Sequence, residues 1–187
     1  AMATDLIKAH AYGNDFLFIS EDLVEANEAA AVALSACDRH RGIGADGLIF
    51  YRRTAAGAAM TLFNADGSPA EVSGNGVRCL AAVVAGVPAA DRAGGPFDEI
   101  VIETGDGIKT LTLIEDAHPR YMFRAFMGKP KHLRELELDV AGERVATVVL
   151  SVGNPQCVVL TPALDDARFR RLGPQLATHP VFPNGTN

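Results

Sequence analysis

The segment Ser73-Gly74-Asn75-Gly76 combines residue types that suit anion binding with the pattern of a helix start. Serine is favoured at the N-cap of a helix, where its hydroxyl accepts a hydrogen bond from a backbone N–H group. The first N–H groups of a helix lack intrahelical partners, and the helix dipole adds partial positive charge there. Glycines let a ligand approach this backbone closely. The segment therefore predicts either a plain helix cap or a site for an anion of carboxylate size.

Other kinds of site find little support in the sequence. The segment lacks the lysine of a phosphate-binding GxxxxGK[ST] loop, and no Ser-His-Asp order, paired catalytic carboxylates or HExxH motif occurs. Three histidines are scattered along the chain and are interpreted as structural; they are His10, His40 and His179. Cys79 and Cys157 fall in apolar runs and are interpreted as core residues, while Cys37 has no assigned role. CxxC spacing is absent, so no metal site is predicted.

Four asparagines stand at turns or strand ends, where chemistry could also occur; they are Asn14, Asn64, Asn154 and Asn187. Each alone is explained as a turn residue, because asparagine tolerates left-handed backbone geometry. As a set they suggest more, since neutral amides both donate and accept hydrogen bonds. Several amides can bind both ends of a zwitterion without burying an unpaired charge.

The elements that would position these groups alternate between strands and helices. Short apolar runs bounded by turn residues predict strands over residues 5–12, 16–20, 46–53, 58–63, 99–104, 109–115, 120–128, 144–151 and 156–161. Helical spacing predicts helices over 25–40, from about 75 to 85, and from 165 onward, with Pro174 breaking or restarting the last one. The helix from about 75 is apolar on nearly every side, so we expect it to be buried all round.

A faint internal repeat suggests a second unit. YGNDFLFI at 12–19 and VGNPQCVVL at 152–160 share Gly-Asn, a turn residue and an apolar strand. We expect one domain over 3–117 and the first part of a second over 118–187. In the first unit, Ser73 follows Asn14 at a fixed distance along the sequence. The residue at the same distance after Asn154 would lie beyond Asn187. If the repeat is real, the second half is incomplete in this chain.

Composition narrows the functional classes. Apolar residues make up 48% of the 187 residues, enough for a packed core, and the net charge of −6 argues against nucleic-acid binding. No run reaches membrane-spanning length and no signal peptide opens the chain. Three irregularly spaced cysteines do not form a disulfide framework, so a reducing, cytoplasmic location is expected.

Five blocks together resemble the diaminopimelate epimerase family: HAYGNDFLFI, DRHRGIGADGL, FNADGSPAEVSGNGVRCL, SVGNPQCVVL and HPVFPNGTN. They occur in the family's order and cover nearly the whole chain. The resemblance implies a pyridoxal-independent epimerase that uses no cofactor and converts LL- to meso-diaminopimelate for lysine and peptidoglycan synthesis. It implies an α+β fold with two pseudo-symmetric halves, each a mixed sheet around a central helix. It also implies a small-molecule amino-acid partner and allows a homodimer.

In this family two cysteines flank the substrate Cα, one taking and one returning the proton. The resemblance assigns substrate binding to six positions: Asn14, Asn64, Gly74, Asn75, Asn154 and Asn187. Ser73 falls on the first catalytic cysteine, and the second block, Cys-Gly-[ST]-Gly, is expected beyond Asn187. Gly47 stands where many members have a substrate-contacting glutamine, and Gln156 where many have a histidine.

Ser73 leaves three explanations open. It is an engineered cysteine replacement, or it belongs to a natural member with altered chemistry, or the protein is a binding relic. The leading expectation is a diaminopimelate epimerase that is inactive in this form. The alternatives are a racemase of another amino acid, such as histidine, and a catalytically silent amino-acid-binding protein.

Overall fold

A computed structural model describes residues 6–86, 99–183 and 185–187 of the chain. The chain forms two compact units, Ala1–Met127 and Gly128–Asn187. The division falls after Met127, not after residue 117 as the sequence analysis expected. The reason is that Arg120–Phe126 pairs antiparallel with Gly107–Ala117 and so completes a hairpin of the first sheet.

The first unit is built on an eight-stranded mixed sheet. Its strands are β1 (Ile7–Ala11), β2 (Asn14–Ser20), β3 (Gly47–Thr54), β4 (Gly57–Asn64), β5 (Pro69–Ala70), β6 (Glu99–Thr104), β7 (Gly107–Ala117) and β8 (Arg120–Phe126). The order across the sheet is β1-β2-β3-β4-β6-β7-β8, and β5 pairs with β4. The β2–β3 and β4–β6 pairs are parallel, and the others are antiparallel.

Two helices pack on this sheet. Helix α2 (Gly74–Ala85) packs on one face of the sheet, here called the inner face. Its residues Val77, Leu80 and Val84 are fully buried there against strand side chains. Its burial on most faces confirms the prediction for this segment. Helix α1 (Ala29–Cys37) packs on the opposite, outer face against β3 and β4, in an apolar cluster that also includes side chains of β2. A short 3-10 turn, Glu21–Leu23, precedes it.

Helix α1 is shorter than the predicted span of 25–40. The carboxylate of Asp38 accepts hydrogen bonds from the N–H groups of His40 (2.7 Å) and Arg41 (2.9 Å). An aspartate that binds the backbone two and three residues onward favours a turn over continued helix. The chain therefore leaves the helix after Cys37.

The second unit has a three-stranded antiparallel sheet in the order β11-β10-β9. Its elements are β9 (Lys131–Val140), β10 (Glu143–Ser151), β11 (Pro155–Val159) and helix α3 (Asp166–Ala177). Strand β9 was not predicted, although Leu136, Leu138 and Val140 alternate with charged residues as a half-buried strand requires.

Helix α3 passes through Pro174, contrary to the expectation that this proline breaks or restarts it. Proline removes one backbone hydrogen bond from the helix. Leu172 and Leu176 flank Pro174, and both are buried in the core of the second unit. Packing on both sides of the proline holds the two parts in one helix.

The Gly-Asn pairs of the faint repeat occupy similar local positions. Gly13 (φ 87°) precedes Asn14 at the start of β2, and Gly153 (φ 108°) precedes Asn154 just before β11. Each following strand pairs antiparallel with the strand before the turn. Positive φ explains the glycine at both turns. The expected α+β class with a mixed sheet is confirmed.

Candidate functional site

Three of the singled-out positions lie at one end of neighbouring strands in the first unit. Asn14 begins β2, Gly47 begins β3 and Asn64 ends β4. Gly47 is in register with Phe16 on one side and with Asn64 on the other. The strand pairing therefore gathers residues that are far apart in sequence at a single edge of the sheet.

Helix α2 begins at the same place and is capped by Ser73. The Ser73 hydroxyl accepts a hydrogen bond from the N–H of Gly76 at 3.1 Å. The backbone carbonyl of Ser73 accepts a second one from the N–H of Val77 at 2.9 Å. Ser73 has extended backbone geometry, as an N-cap residue requires. The structure thus confirms the helix-cap interpretation. Among the described residues, the N–H groups of Gly74 and Asn75 have no hydrogen-bond partner and remain available to an anion.

A hydrogen bond joins the helix start to the sheet. The Asn75 Nδ2 group donates to Asn14 Oδ1 at 3.2 Å, and Asn14 Nδ2 donates to Asp46 Oδ2 at 2.8 Å. Both polar ends of the Asn14 amide are engaged, so its orientation is fixed. Asn64 donates through Nδ2 to the Ser68 hydroxyl at 3.0 Å. Among the described residues, the side-chain oxygens of Asn64 and Asn75 accept no hydrogen bond.

Charged side chains behind Asn14 fix this arrangement. Arg39 binds Asp15 at 2.6 Å and Asp46 at 2.8 Å, and Lys8 binds Asp15 at 3.1 Å. Hydrogen bonding to Arg39, supported by Lys8, holds the pKa of Asp15 well below its usual range. Hydrogen bonding from Asn14 lowers the pKa of Asp46. Both carboxylates are therefore ionised acceptors at neutral pH and cannot serve as general acids there.

Arg78 places a positive charge near the first turn of α2. Its guanidinium donates to the Gly74 carbonyl at 2.7 Å, and the side chain is partly buried. A cation beside the unpaired N–H groups strengthens the attraction for an anion. Arg78 follows Gly74 by four residues, so the two residues lie on the same face of the helix. This spacing is the sequence signal that could have identified Arg78 as a site residue.

None of the three cysteines has the lowered pKa that a reactive thiolate requires. Burial raises the pKa of Cys79 to about 12, and burial also raises the pKa of Cys37 and of Cys157. All three are free thiols. A cysteine needs a lowered pKa to act as a base or nucleophile. The expected core role of Cys79 is consistent with its position inside α2, where it is buried.

Gly47 has little space for a side chain. A Cβ added there would lie 2.8 Å from the Phe63 carbonyl oxygen and 3.3 Å from carbons of Leu62 and Phe16. The carbonyl belongs to the backbone of β4, so it cannot move aside as a flexible side chain would. A longer side chain at this position would require the strands to shift.

In the second unit, Asn154 and Asn187 approach the same stretch of β11. Gln156 donates through Nε2 to Asn154 Oδ1 at 3.0 Å. Asn187 accepts through its carbonyl from the Cys157 N–H at 2.7 Å and donates through its own N–H to the Pro155 carbonyl at 3.1 Å. The hydrogen bond from Gln156 thus fixes the orientation of the Asn154 amide.

The described residues hold no cluster of three or more His, Cys, Asp and Glu side chains that could bind a metal ion. Over the same residues, no helix is long and apolar enough to cross a membrane.

Solved structures resemble this fold at low sequence identity. A PhzF-family phenazine biosynthesis protein of Bacillus anthracis aligns with a TM-score of 0.58 and 14% identity, covering 97% of this chain and 63% of that one. A hydroxyproline epimerase of Agrobacterium vitis, with bound trans-4-hydroxy-L-proline, aligns with a TM-score of 0.57 and 15% identity over 90% of this chain and 51% of that one. These likenesses support the fold. They also show that the chain spans between half and two thirds of these longer proteins.

Sequence comparison identifies the family. The diaminopimelate epimerase family profile matches residues 6–133. A diaminopimelate epimerase of Pelotomaculum thermopropionicum is 35% identical over 196 residues, covering 96% of this chain and 68% of the relative. One of Desulforudis audaxviator is 36% identical over 201 residues, covering 98% and 69% respectively. The profile match includes Asn14, Asn64 and the start of α2 at Ser73. The chain belongs to the diaminopimelate epimerase family.

Proposed function

We propose that this chain provides the binding half-site of a pyridoxal-independent epimerase that converts LL- to meso-diaminopimelate for lysine and peptidoglycan synthesis. Relatives named diaminopimelate epimerase align with nearly the whole chain. The observation that carries the proposal is the hydrogen bond from Asn75 to Asn14, beside the unpaired N–H groups of Gly74 and Asn75. It unites hydrogen-bond donors for a carboxylate with amides for an ammonium group.

In the proposed complex the α-carboxylate of the substrate accepts hydrogen bonds from the N–H groups of Gly74 and Asn75. The dipole of α2 and the guanidinium of Arg78 favour its negative charge. Asn14 and Asn64 line the adjacent strand ends. In the second unit, Asn154 and Asn187 are proposed as substrate-binding positions on the family resemblance alone.

Epimerisation at Cα requires one group to remove the Cα proton and a second group to deliver a proton to the opposite face. A base works best when its pKa lies near the working pH. A cysteine thiol has an ordinary pKa of about 8.5, whereas an alcohol such as that of Ser73 is far less acidic. The Ser73 hydroxyl is also used as a helix cap. We therefore propose that the 187-residue chain binds substrate but does not epimerise it.

The lack of a second proton-transfer group in these 187 residues also predicts that the chain does not epimerise its substrate. The 187 residues contain no Cys-Gly-[ST]-Gly block, which the family uses for proton return. Restoring a cysteine at position 73 would supply one group only. Full activity is proposed to need both this cysteine and the second block.

A racemase of another amino acid, such as histidine, is the second candidate. Gly47 favours it, because glycine lacks the amide side chain with which many members contact the substrate at this position. Without that contact the distal amino-acid end of diaminopimelate loses a partner. A catalytically silent amino-acid-binding protein is the third candidate, favoured by the lack of an activated thiol.

Thermal stabilisation by ligands separates these candidates, because a ligand that binds the folded state raises the melting temperature. We expect diaminopimelate isomers to stabilise the chain more than histidine or proline. Asn75→Asp, nearly equal in shape, adds a negative charge at the carboxylate position and should abolish the stabilisation. Asn27→Asp, on an exposed turn, is the matched control and should not. Stronger stabilisation by histidine would favour the second candidate, and no response to any amino acid would contradict binding.

The proposal includes a cytoplasmic location, a small-molecule amino acid as the ligand rather than a nucleic acid or a membrane, and the capacity to form a homodimer. The acidic net charge of −6 is consistent with a partner that is not a nucleic acid.

A further inference from the structure

Asp46 stands directly before β3, at the edge of the sheet where the site residues meet. Its backbone N–H donates to the Asp15 carbonyl at 2.9 Å, and its backbone carbonyl accepts from the N–H of Ala65 at 3.1 Å. These two bonds do not depend on the side chain, which is 43% exposed and does not contribute to the core. Asp46 is also not one of the six substrate-binding positions assigned from the family. The carboxylate therefore needs an explanation of its own.

The carboxylate of Asp46 accepts hydrogen bonds from three groups. Its Oδ2 accepts from Asn14 Nδ2 at 2.8 Å and from the Asp15 N–H at 3.0 Å, and its Oδ1 accepts from Arg39 Nη2 at 2.8 Å. The hydrogen bond from Asn14 lowers the pKa of Asp46, so the group is ionised at neutral pH. An ionised carboxylate accepts hydrogen bonds and donates none. Asn14 must therefore turn its NH2 group, and not its carbonyl oxygen, toward Asp46.

This direction of donation continues from Asn14 to the start of α2. Because the Nδ2 group of Asn14 faces Asp46, its Oδ1 atom is free to accept from Asn75 Nδ2, at 3.2 Å. A flipped Asn14 amide would oppose two acceptors at Asp46 and two donors at Asn75. One ionised group thus sets the direction of two successive hydrogen bonds. The three residues Asp46, Asn14 and Asn75 are called the amide relay here.

The amide relay ends at the N–H groups that are proposed to bind the carboxylate of the ligand. Asn75 is the second residue of α2, and its side chain reaches a partner 61 positions earlier in the sequence. The bond joins the first turn of the helix to the beginning of β2. A site binds more tightly when its donors are held in place before the ligand arrives. Holding the Asn75 side chain restrains the backbone N–H groups of Gly74 and Asn75.

We propose that Asp46 is a positioning residue whose carboxylate, acting through Asn14 and Asn75, holds the anion-binding start of α2 in place. The inference rests on the proposed function, since it concerns the same ligand site. Arg39 supports the role of Asp46 by balancing the charge of its carboxylate at 2.8 Å. Without this carboxylate the Asn14 amide has no ionised partner to fix its direction. Asn75 then loses a fixed acceptor, and the affinity for the ligand falls.

The ligand-free chain tests the amide relay by itself. Exchange of the Asn75 side-chain NH2 protons with water is followed by NMR of a ¹⁵N-labelled chain with assigned asparagine side chains. Asp46→Ala should accelerate this exchange about two- to fivefold, because the Asn75–Asn14 hydrogen bond is weakened. Asp46→Asn keeps an oxygen acceptor in a side chain of the same shape. Its exchange rate should therefore lie closer to that of the wild type.

Glu21→Ala is the matched control. Glu21 also binds an arginine, Arg52, at 2.7 Å, and it is 43% exposed, as Asp46 is. It follows the opposite end of β2 from Asn14. The control therefore removes one acidic charge and one ion pair from the same unit, and it should leave exchange at Asn75 unchanged. Circular dichroism and the melting temperature establish that each variant is folded before it is compared.

Ligand affinity tests whether Asp46 acts through Asn14. In calorimetric titrations with LL- and meso-diaminopimelate, Asp46→Ala should weaken binding about fivefold or more, and Glu21→Ala should not. In an Asn14→Ala background the link between Asp46 and Asn75 is already absent. Adding Asp46→Ala to that background should therefore change the affinity by less than about twofold. A general loss of structure would instead lower the affinity equally in both backgrounds.

The proposal is overturned if folded Asp46→Ala exchanges its Asn75 side-chain protons at the wild-type rate. It is equally overturned if Asp46→Ala weakens binding by the same factor with and without Asn14. A wild type that binds no diaminopimelate would contradict the proposed function. In that case the exchange rates at Asn75 in the ligand-free chain still decide whether Asp46 holds the start of α2.

Discussion

Replacing Asp15 by asparagine should destabilise the chain at neutral pH and have little effect in acid. Asp15 is 13% exposed and accepts hydrogen bonds from two Arg39 nitrogens, at 2.6 and 3.2 Å, while also pairing with Lys8 at 3.1 Å. Asparagine keeps an acceptor but loses the charge. Hydrogen bonds to charged groups contribute about 1.5–3 kcal/mol. Since Arg39 is about half exposed, solvent screening favours the lower part of that range, about 2 kcal/mol.

The direction of the pH dependence follows from the lowered pKa of Asp15 in the folded chain, which pairing with Arg39 and then Lys8 produces. The unfolded chain has a value of about 3.9. The stabilisation is therefore complete above about pH 5 and is lost as the pH falls through the folded-state pKa. We expect the difference in unfolding free energy between wild type and Asp15→Asn to shrink progressively below about pH 4.

Urea unfolding followed by circular dichroism, at pH 7 and at the lowest pH where the wild type stays folded, measures this difference. Asp116→Asn is the control, because Asp116 is exposed and has no ion pair among the described residues. An Asp15→Asn variant that is no less stable than the control at pH 7 would refute the reasoning. So would a destabilisation of equal size at both pH values.

Three further outcomes follow from the geometry of the site. Ser73→Ala should lower the unfolding free energy by about 1 kcal/mol through loss of the helix cap, measured by urea unfolding, whereas an unchanged midpoint would contradict the capping bond. Gly47→Gln should destabilise by about 1–3 kcal/mol because its Cβ meets the Phe63 carbonyl, and a fully stable variant would show that the strands can shift. Cys79 should not react with a thiol reagent up to about pH 9 in the folded chain, because a buried thiol is inert. Peptide mass spectrometry locates the labelled cysteine, and rapid labelling of Cys79 would contradict its burial.

The sequence predicted the elements around the site better than the contacts within it. The buried α2, the turn before Asn14 and the strand ending at Asn64 follow from local apolar patterns and turn residues, which act over a few positions. The link from Asp46 and Arg39 to Asn14 was not predicted. It depends on parallel pairing of β2 with β3, which brings together residues about thirty positions apart. Charged residues in a loop carry no local signal of such a partner.

Strand β9 and the extent of the first unit were missed for a related reason. Exposed charged residues dominate Lys131–Val140, so its alternation of apolar residues is weak until β10 pairs with it. The boundary was placed at residue 117 because a sequence repeat marks similar local turns and does not reveal which sheet a strand joins. Pairing of β8 with β7 decides that question.

Exchange of the substrate Cα proton with solvent deuterium tests the central claim most directly. The 187-residue chain, with Ser73 in place, is incubated with LL-diaminopimelate in deuterated water, and incorporation at Cα is followed by mass spectrometry. The account predicts no incorporation above the protein-free rate, because the Ser73 hydroxyl caps α2 and no thiol of the chain has a lowered pKa. Positioned acid–base groups contribute about 10²–10⁴-fold to such a reaction. Rapid deuterium incorporation by the Ser73 chain would contradict the account and show that the catalytic base lies elsewhere.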